Sequence, residues 1–155
     1  MKKIFTGVVL VLTLSLILAA CGAKASTPEP IARPSNPGGV GPAVGLTGDV
    51  TAGAQVFTDN CVVCHGDQGK GGVENAGTAD GTVPPLNPID DTLKSTDYKT
   101  FATNLDLFLE HGSTPELADG ATPPPARVMP AWGESGKLQP QQIADVIAYL
   151  ISLNK

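Results

Sequence analysis

The chain has 155 residues, with 10 basic against 15 acidic side chains and a formal net charge of −5. An acidic chain without a basic patch excludes a nucleic-acid binder, which needs a positive footprint. With 18 glycines and 14 prolines but only one tryptophan, two tyrosines and four phenylalanines, it has little material for a large side-chain core.

Residues 1–20 read as a secretory signal peptide. Lys2 and Lys3 form a positive start, an apolar run covers residues 4–20, and Ala19 and Ala20 supply the small residues of a cleavage site. Leu18-Ala19-Ala20-Cys21 also resembles the lipobox of bacterial lipoproteins, in which the cysteine is lipidated and becomes the first mature residue. The competing readings are an incidental small residue at position 21 and an uncleaved anchor at the lower edge of spanning length. All three export the rest of the chain. Without Lys2 and Lys3 the mature chain keeps 8 basic residues against 15 acidic, a net charge near −7. That balance suits a partner with a basic docking face.

Residues 21–47 follow as a proline- and glycine-rich segment with almost nothing large and apolar. Such a segment cannot bury enough surface to offset its ordering entropy, so it reads as a flexible linker. It spans about 25–30 Å if flexible and about 80 Å if stretched as polyproline. The alternative is a segment lying ordered along a partner protein.

A folded domain is expected over residues 48–155, all-α, with three main helices. The first begins after Asp49 or Thr51 as cap, presents Val56 and Phe57 on one side, and ends at a cysteine pair. A glycine-rich irregular loop covers residues 66–91, long enough to be functional or wrapped around something. The second helix carries Phe101, Leu105, Phe108 and Leu109 at helical spacing, with Ser95 or Thr96 to cap it and Gly112 after its last turn. A second loop, residues 113–130, holds five prolines. The last helix starts at Pro140, with Leu138 and Ile143 as a hydrophobic staple and Gln142 able to reach back. Ile143, Val146, Ile147, Leu150 and Ile151 form its apolar stripe. No strand and no internal repeat is expected. So few large apolar residues call for a staple, whether disulfide, metal or cofactor.

Cys61-Val62-Val63-Cys64-His65 concentrates the chemistry. A thiol redox pair wants a strand–helix–strand setting that the pattern lacks. Zinc wants four ligands, and Cys61, Cys64, His65 and His111 make the count, but His65 directly adjoins Cys64, which is awkward for one tetrahedron. A Cys61–Cys64 disulfide leaves His65 without a part. Cys-x-x-Cys-His is the c-type haem attachment pattern. Each thiol adds to one vinyl group, two intervening residues let one turn reach both, and the adjacent histidine faces the iron. Export agrees with an attachment made outside the cytoplasm.

From about residue 48 to 154 the chain resembles a class I, single-haem cytochrome c. The matches are the attachment motif, Gly53 and Phe57 in the first helix with Tyr149 in the last, Pro84-Pro85-Leu86 after the motif, and Met129-Pro130 in the second loop. The resemblance implies a small cytochrome c fold around one haem c, covalent through Cys61 and Cys64. It implies His65 and Met129 as axial ligands and the carbonyl of Pro84 accepting the His65 ring N–H, with Leu86 beside it. Met129 is the one methionine left once Met1 departs, and it lies 64 residues after His65. A gap-filling core methionine is the competing role. His111 is the rival ligand, set against a helix-end charge. Trp132 suits a haem propionate or plain loop packing, and Arg127 suits a propionate or the solvated surface.

Two filled axial positions leave one-electron transfer rather than catalysis on a small-molecule substrate. The expected protein is therefore an electron carrier and not an enzyme, lipid-anchored through Cys21 on the periplasmic side of a bacterial cytoplasmic membrane. Its partners are a redox donor and an acceptor in a respiratory or photosynthetic chain. The alternatives are a fixed subunit of a larger oxidoreductase, such as alternative complex III, and a haem sensor in which Met129 is labile.

Overall fold

The computed structural model describes residues 39–115, 117, 118 and 127–155. The expected signal peptide, the lipidation site Cys21 and most of the linker lie outside the described residues.

Four α-helices order the described residues: α1 Val50–Asn60, α2 Val62–His65, α3 Tyr98–His111 and α4 Pro140–Leu153. Asp49 caps α1 by accepting from the Ala52 N–H at 2.8 Å. α3 is capped by Asp97, which accepts from the Thr100 N–H at 2.8 Å. The cap is neither Ser95 nor Thr96, because the Ser95 hydroxyl is already taken by the Asp97 N–H at 3.1 Å, two residues ahead of the helix's own donors. α4 starts as expected, with Pro140 in the first turn and the Gln142 side chain accepting from the Gln139 N–H at 2.9 Å. Among the described residues there is no strand, only three isolated bridges.

α1 and α4 cross at Gly53. A Cβ at that position would fall 2.5 Å from the carbonyl carbon of Asp145 and 2.9 Å from Cβ of Tyr149. Only a residue without a side chain lets the two backbones come this close. The Phe57 and Tyr149 rings then meet with centroids 5.4 Å apart, tilted at 54°, a favourable offset geometry. Phe57, Leu105, Leu109, Leu138, Ile143, Val146 and Ile147 share one buried cluster. Each large side chain of this kind contributes about 1.5–3 kcal/mol when fully buried.

The ordered chain begins earlier than residue 48. Pro42–Gly45 form a 3-10 turn with Ala43 buried. The Gly41 N–H donates to the Asp106 carboxylate at 2.6 Å, and Thr47 and Asp49 are tied to Gln141 and Asp145 of α4. The expected linker boundary at residue 47 is therefore too late. Small residues let this strap lie close to α3 and α4, and Asp106 supplies a buried acceptor for it. At the other end, Asn154 accepts from the Ile89 N–H and donates to the Leu86 and Leu150 carbonyls, all at 2.8–2.9 Å. It fastens the loop after the cysteine motif to the end of the chain.

Candidate functional site

α1 ends at Cys61, whose N–H bonds the Phe57 carbonyl at 2.8 Å. The single turn α2 then carries Cys64 and His65, so all three motif residues sit on one tight bend. Both thiols are free; Cys61 is buried and Cys64 partly so. Burial, with the neighbouring Cys64 thiol, pushes Cys61 up to about 12. No group of three or more His, Cys, Asp or Glu among the described residues could hold a metal ion, which removes the four-ligand zinc arrangement.

Burial holds the His65 imidazole below its ordinary value, while the backbone of Pro84 works against that shift. Proline has no N–H, so the group facing the ring is the Pro84 carbonyl. The ring's Nδ1 is sealed from solvent and makes no hydrogen bond of normal geometry; the carbonyl is beside the ring without being seated on it. A buried orphan nitrogen next to a backbone acceptor fits an imidazole that is oriented when its other nitrogen binds a metal. The same loop is bound to the bend by Gly71 N–H to His65 carbonyl at 2.7 Å and Leu86 N–H to Gly69 carbonyl at 2.7 Å. Leu86 packs partly buried against the core.

Met129 is also partly buried against the core. Its backbone pairs with Ser113, N–H to carbonyl at 3.0 and 3.1 Å in the two directions. Gly112, at φ +71°, turns the chain off α3 here; its own α-carbon faces the Met129 carbonyl, and any side chain would collide with it. Arg127 reaches back to the cysteine bend. Its guanidinium meets the Glu74 carbonyl at 3.1 Å, the Val63 carbonyl at 3.4 Å and the Cys64 sulfur at 3.7 Å. The loop of Met129 and the attachment bend are thus joined through this arginine. Trp132 is partly buried, its backbone N–H bonded to the Leu109 carbonyl at 2.9 Å, with the Lys137 ammonium 5.8 Å above its ring.

His111 lies elsewhere. It ends α3, with Nε2 3.1 Å from the Gly39 carbonyl and Nδ1 3.6 Å from the Glu134 carboxylate. Among the buried polar residues that sequence reasoning did not single out are Asn75, which bonds both backbone groups of Arg127, and Asp106. Neither carries a pattern that distinguishes it from a turn asparagine or a helix-surface aspartate.

A family described as Cytochrome c matches residues 50–154. A curated relative, the cbb3-type cytochrome c oxidase subunit FixP of Bradyrhizobium sp. (strain ORS 278), is 32% identical over 105 residues, which are 68% of this chain and 28% of the relative. The chain therefore spans less than a third of that relative's length. No solved structure matches the chain.

Proposed function

As a member of the cytochrome c family this chain is an electron-transfer protein with covalently attached haem c, and we propose that it works as a one-electron carrier tethered by a lipid on Cys21 to the periplasmic face of a bacterial cytoplasmic membrane. Cys61 and Cys64 would hold the porphyrin, and His65 and Met129 would ligate its iron. Haem c held between an imidazole and a thioether supplies a reversible one-electron couple.

The observation that carries the ligand reading is the sealed, unpaired Nδ1 of His65 beside the Pro84 carbonyl. It gives one ring nitrogen a waiting acceptor and leaves the other for iron. The protein's part is to keep both ligands in place across the redox change. The bend is braced by Gly69 and Gly71, and Met129 by Ser113. Arg127 puts a fixed positive charge 3.7 Å from the Cys64 sulfur, which favours the reduced state of the group attached there.

The tether reading rests on the sequence of residues 1–38. An export signal, a lipobox-like Leu18-Ala19-Ala20-Cys21 and a Pro/Gly segment stand in that order. Mass spectrometry of the membrane fraction tests it: an acylated N-terminal Cys21 is expected, and Cys21→Ser should move the protein to the soluble periplasm. A Cys21→Ser protein still extracted only by detergent would refute the lipid anchor.

A second reading, a fixed subunit of a larger oxidoreductase, is favoured by one finding. The relative of similar sequence is by its name an oxidase subunit. Stoichiometric co-purification after mild detergent extraction would support it, and a freely solubilised monomer would refute it.

A further inference from the structure

We infer that Asn75 is a positioning residue for the distal ligand, acting through the backbone of Arg127; the inference rests on Met129 being that ligand. The Asn75 side chain donates through Nδ2 to the Arg127 carbonyl at 2.9 Å and accepts through Oδ1 from the Arg127 N–H at 3.0 Å. A primary amide offers one donor and one acceptor side by side, and here it pairs with Arg127 as a neighbouring strand would. Asn75 is 3% exposed, so neither bond has water to replace it.

Asn75 is itself fixed. Its N–H bonds the Gly81 carbonyl at 2.9 Å, and its carbonyl accepts from the Thr78 hydroxyl at 2.8 Å and the Thr78 N–H at 3.2 Å. These belong to a hairpin-like turn closed by Val83 N–H to Val73 carbonyl at 2.8 Å. The loop of Met129 is therefore held at two points, Ser113 on Met129 itself and Asn75 two residues upstream. With its backbone set by Asn75, Arg127 can lay its guanidinium along the Glu74 and Val63 carbonyls toward Cys64. One amide thus fixes the distance between the loop and the attachment bend.

Other side chains cannot reproduce this. Alanine removes both bonds. Aspartate keeps the acceptor for the Arg127 N–H but turns a second lone pair on the Arg127 carbonyl. Glutamine carries the amide one carbon too far. Met129 would then be held from one side only, and the thioether would leave the iron more often.

The test uses the haem-loaded full chain. Carbon monoxide binding to the reduced protein at neutral pH reads the fraction of time Met129 is off the iron, and the weak far-red absorption of methionine-ligated ferric haem c reads the resting state. Asn75→Ala should raise the carbon-monoxide-accessible fraction roughly 30-fold, which is about 2 kcal/mol at 1.4 kcal/mol per tenfold, as expected for two backbone hydrogen bonds. Asn75→Asp, which keeps one bond but opposes the Arg127 carbonyl, should raise it at least as much as alanine does and serves if the alanine variant does not load haem. Asn104→Ala is the control: Asn104 is buried and bonds the Leu93 carbonyl at 2.9 Å, so it should lose thermal stability without gaining carbon monoxide binding. If Asn75→Ala loses stability as Asn104→Ala does and leaves carbon monoxide binding at the wild-type level, Asn75 is only structural and the inference is overturned. If the wild type itself binds carbon monoxide as freely as Met129→Ala, the Met129 reading falls, and this one with it.

Discussion

Gly53→Ala sets two well-calibrated effects against each other. In an isolated helix the change would help, since alanine is favoured over glycine by about 1 kcal/mol at an interior position. In this fold the new methyl carbon would lie 2.5 Å from the Asp145 carbonyl carbon, with the carbonyl oxygen nearer still, and 2.9 Å from Tyr149 Cβ. Carbon atoms pack at about 3.5 Å or more, so α1 and α4 must part by about 1 Å. Rotamer changes cannot relieve it, because the obstructing group is backbone. A gap of that size forfeits about a quarter to a half of the dispersion energy along the crossing, and overpacking of this kind costs about 1–3 kcal/mol. The Phe57–Tyr149 ring pair, about 0.5–1.5 kcal/mol beyond its buried area, opens as well. The net expectation is a loss of about 2 kcal/mol, or about 8 °C in Tm at about 4 °C per kcal/mol for a domain of this size. Thermal unfolding of the haem-loaded protein, followed by far-ultraviolet circular dichroism, measures it. A Gly53→Ala protein as stable as wild type or more so would mean that the helices do not cross where the structure puts them.

Met129→Ala should open the distal site, giving carbon monoxide binding to the reduced protein and a lower reduction potential; His111→Ala should do neither, and the reverse pattern would exchange their roles. Asp106 is held above the ordinary carboxylate value, by burial first, with the Gly41 N–H and His111 opposing; Glu110 also approaches the same strap at Gly41. A raised carboxyl stabilises the fold below its unfolded pKa and loses that contribution as pH rises through its folded pKa. Denaturation midpoints from pH 4 to 7 should therefore decline with pH at this site in wild type, and Asp106→Asn should flatten that decline; parallel curves would refute it. The haem-free chain, with so few large apolar residues, should not hold this fold. Cys61 reports on that: moved from an ordinary 9.0 to about 12, it would alkylate roughly a thousandfold more slowly at pH 8 if the fold persisted. An ordinary rate is expected, and a suppressed one would show that the core stands without its cofactor.

Much of this architecture was legible because it follows local rules. The α4 stripe, Pro140 and Gln142 announce their helix without reference to anything distant, and the Gly53–Phe57–Tyr149 crossing follows from the family resemblance. What escaped depends on tertiary partners. The strap at residues 41–46 is compositionally a linker, and it is ordered because Asp106, 65 residues away, accepts its N–H. Asp97 outcompeted Ser95 and Thr96 as a cap through a hydrogen bond between neighbours that no periodicity encodes. Asn75 looks like any turn asparagine in a glycine-rich loop until Arg127, 52 residues on, is brought to it. The attachment motif was readable because its chemistry is contiguous; the struts that brace it are not.

The place of Asn154 bears on when this protein can fold. Asn154, just past α4, closes the loop at Leu86 and Ile89, and α4 supplies the wall that α1 leans on. A ribosome delivers the amino end first, so α1 lacks the wall it leans on until α4 has emerged. Until then the crossing stays open, and the Cys61 and Cys64 thiols stay within reach of whatever machinery joins them to porphyrin. A topology that pairs helices so far apart in sequence is slow to form, and here that slowness leaves time for a covalent step that closure would otherwise shut out.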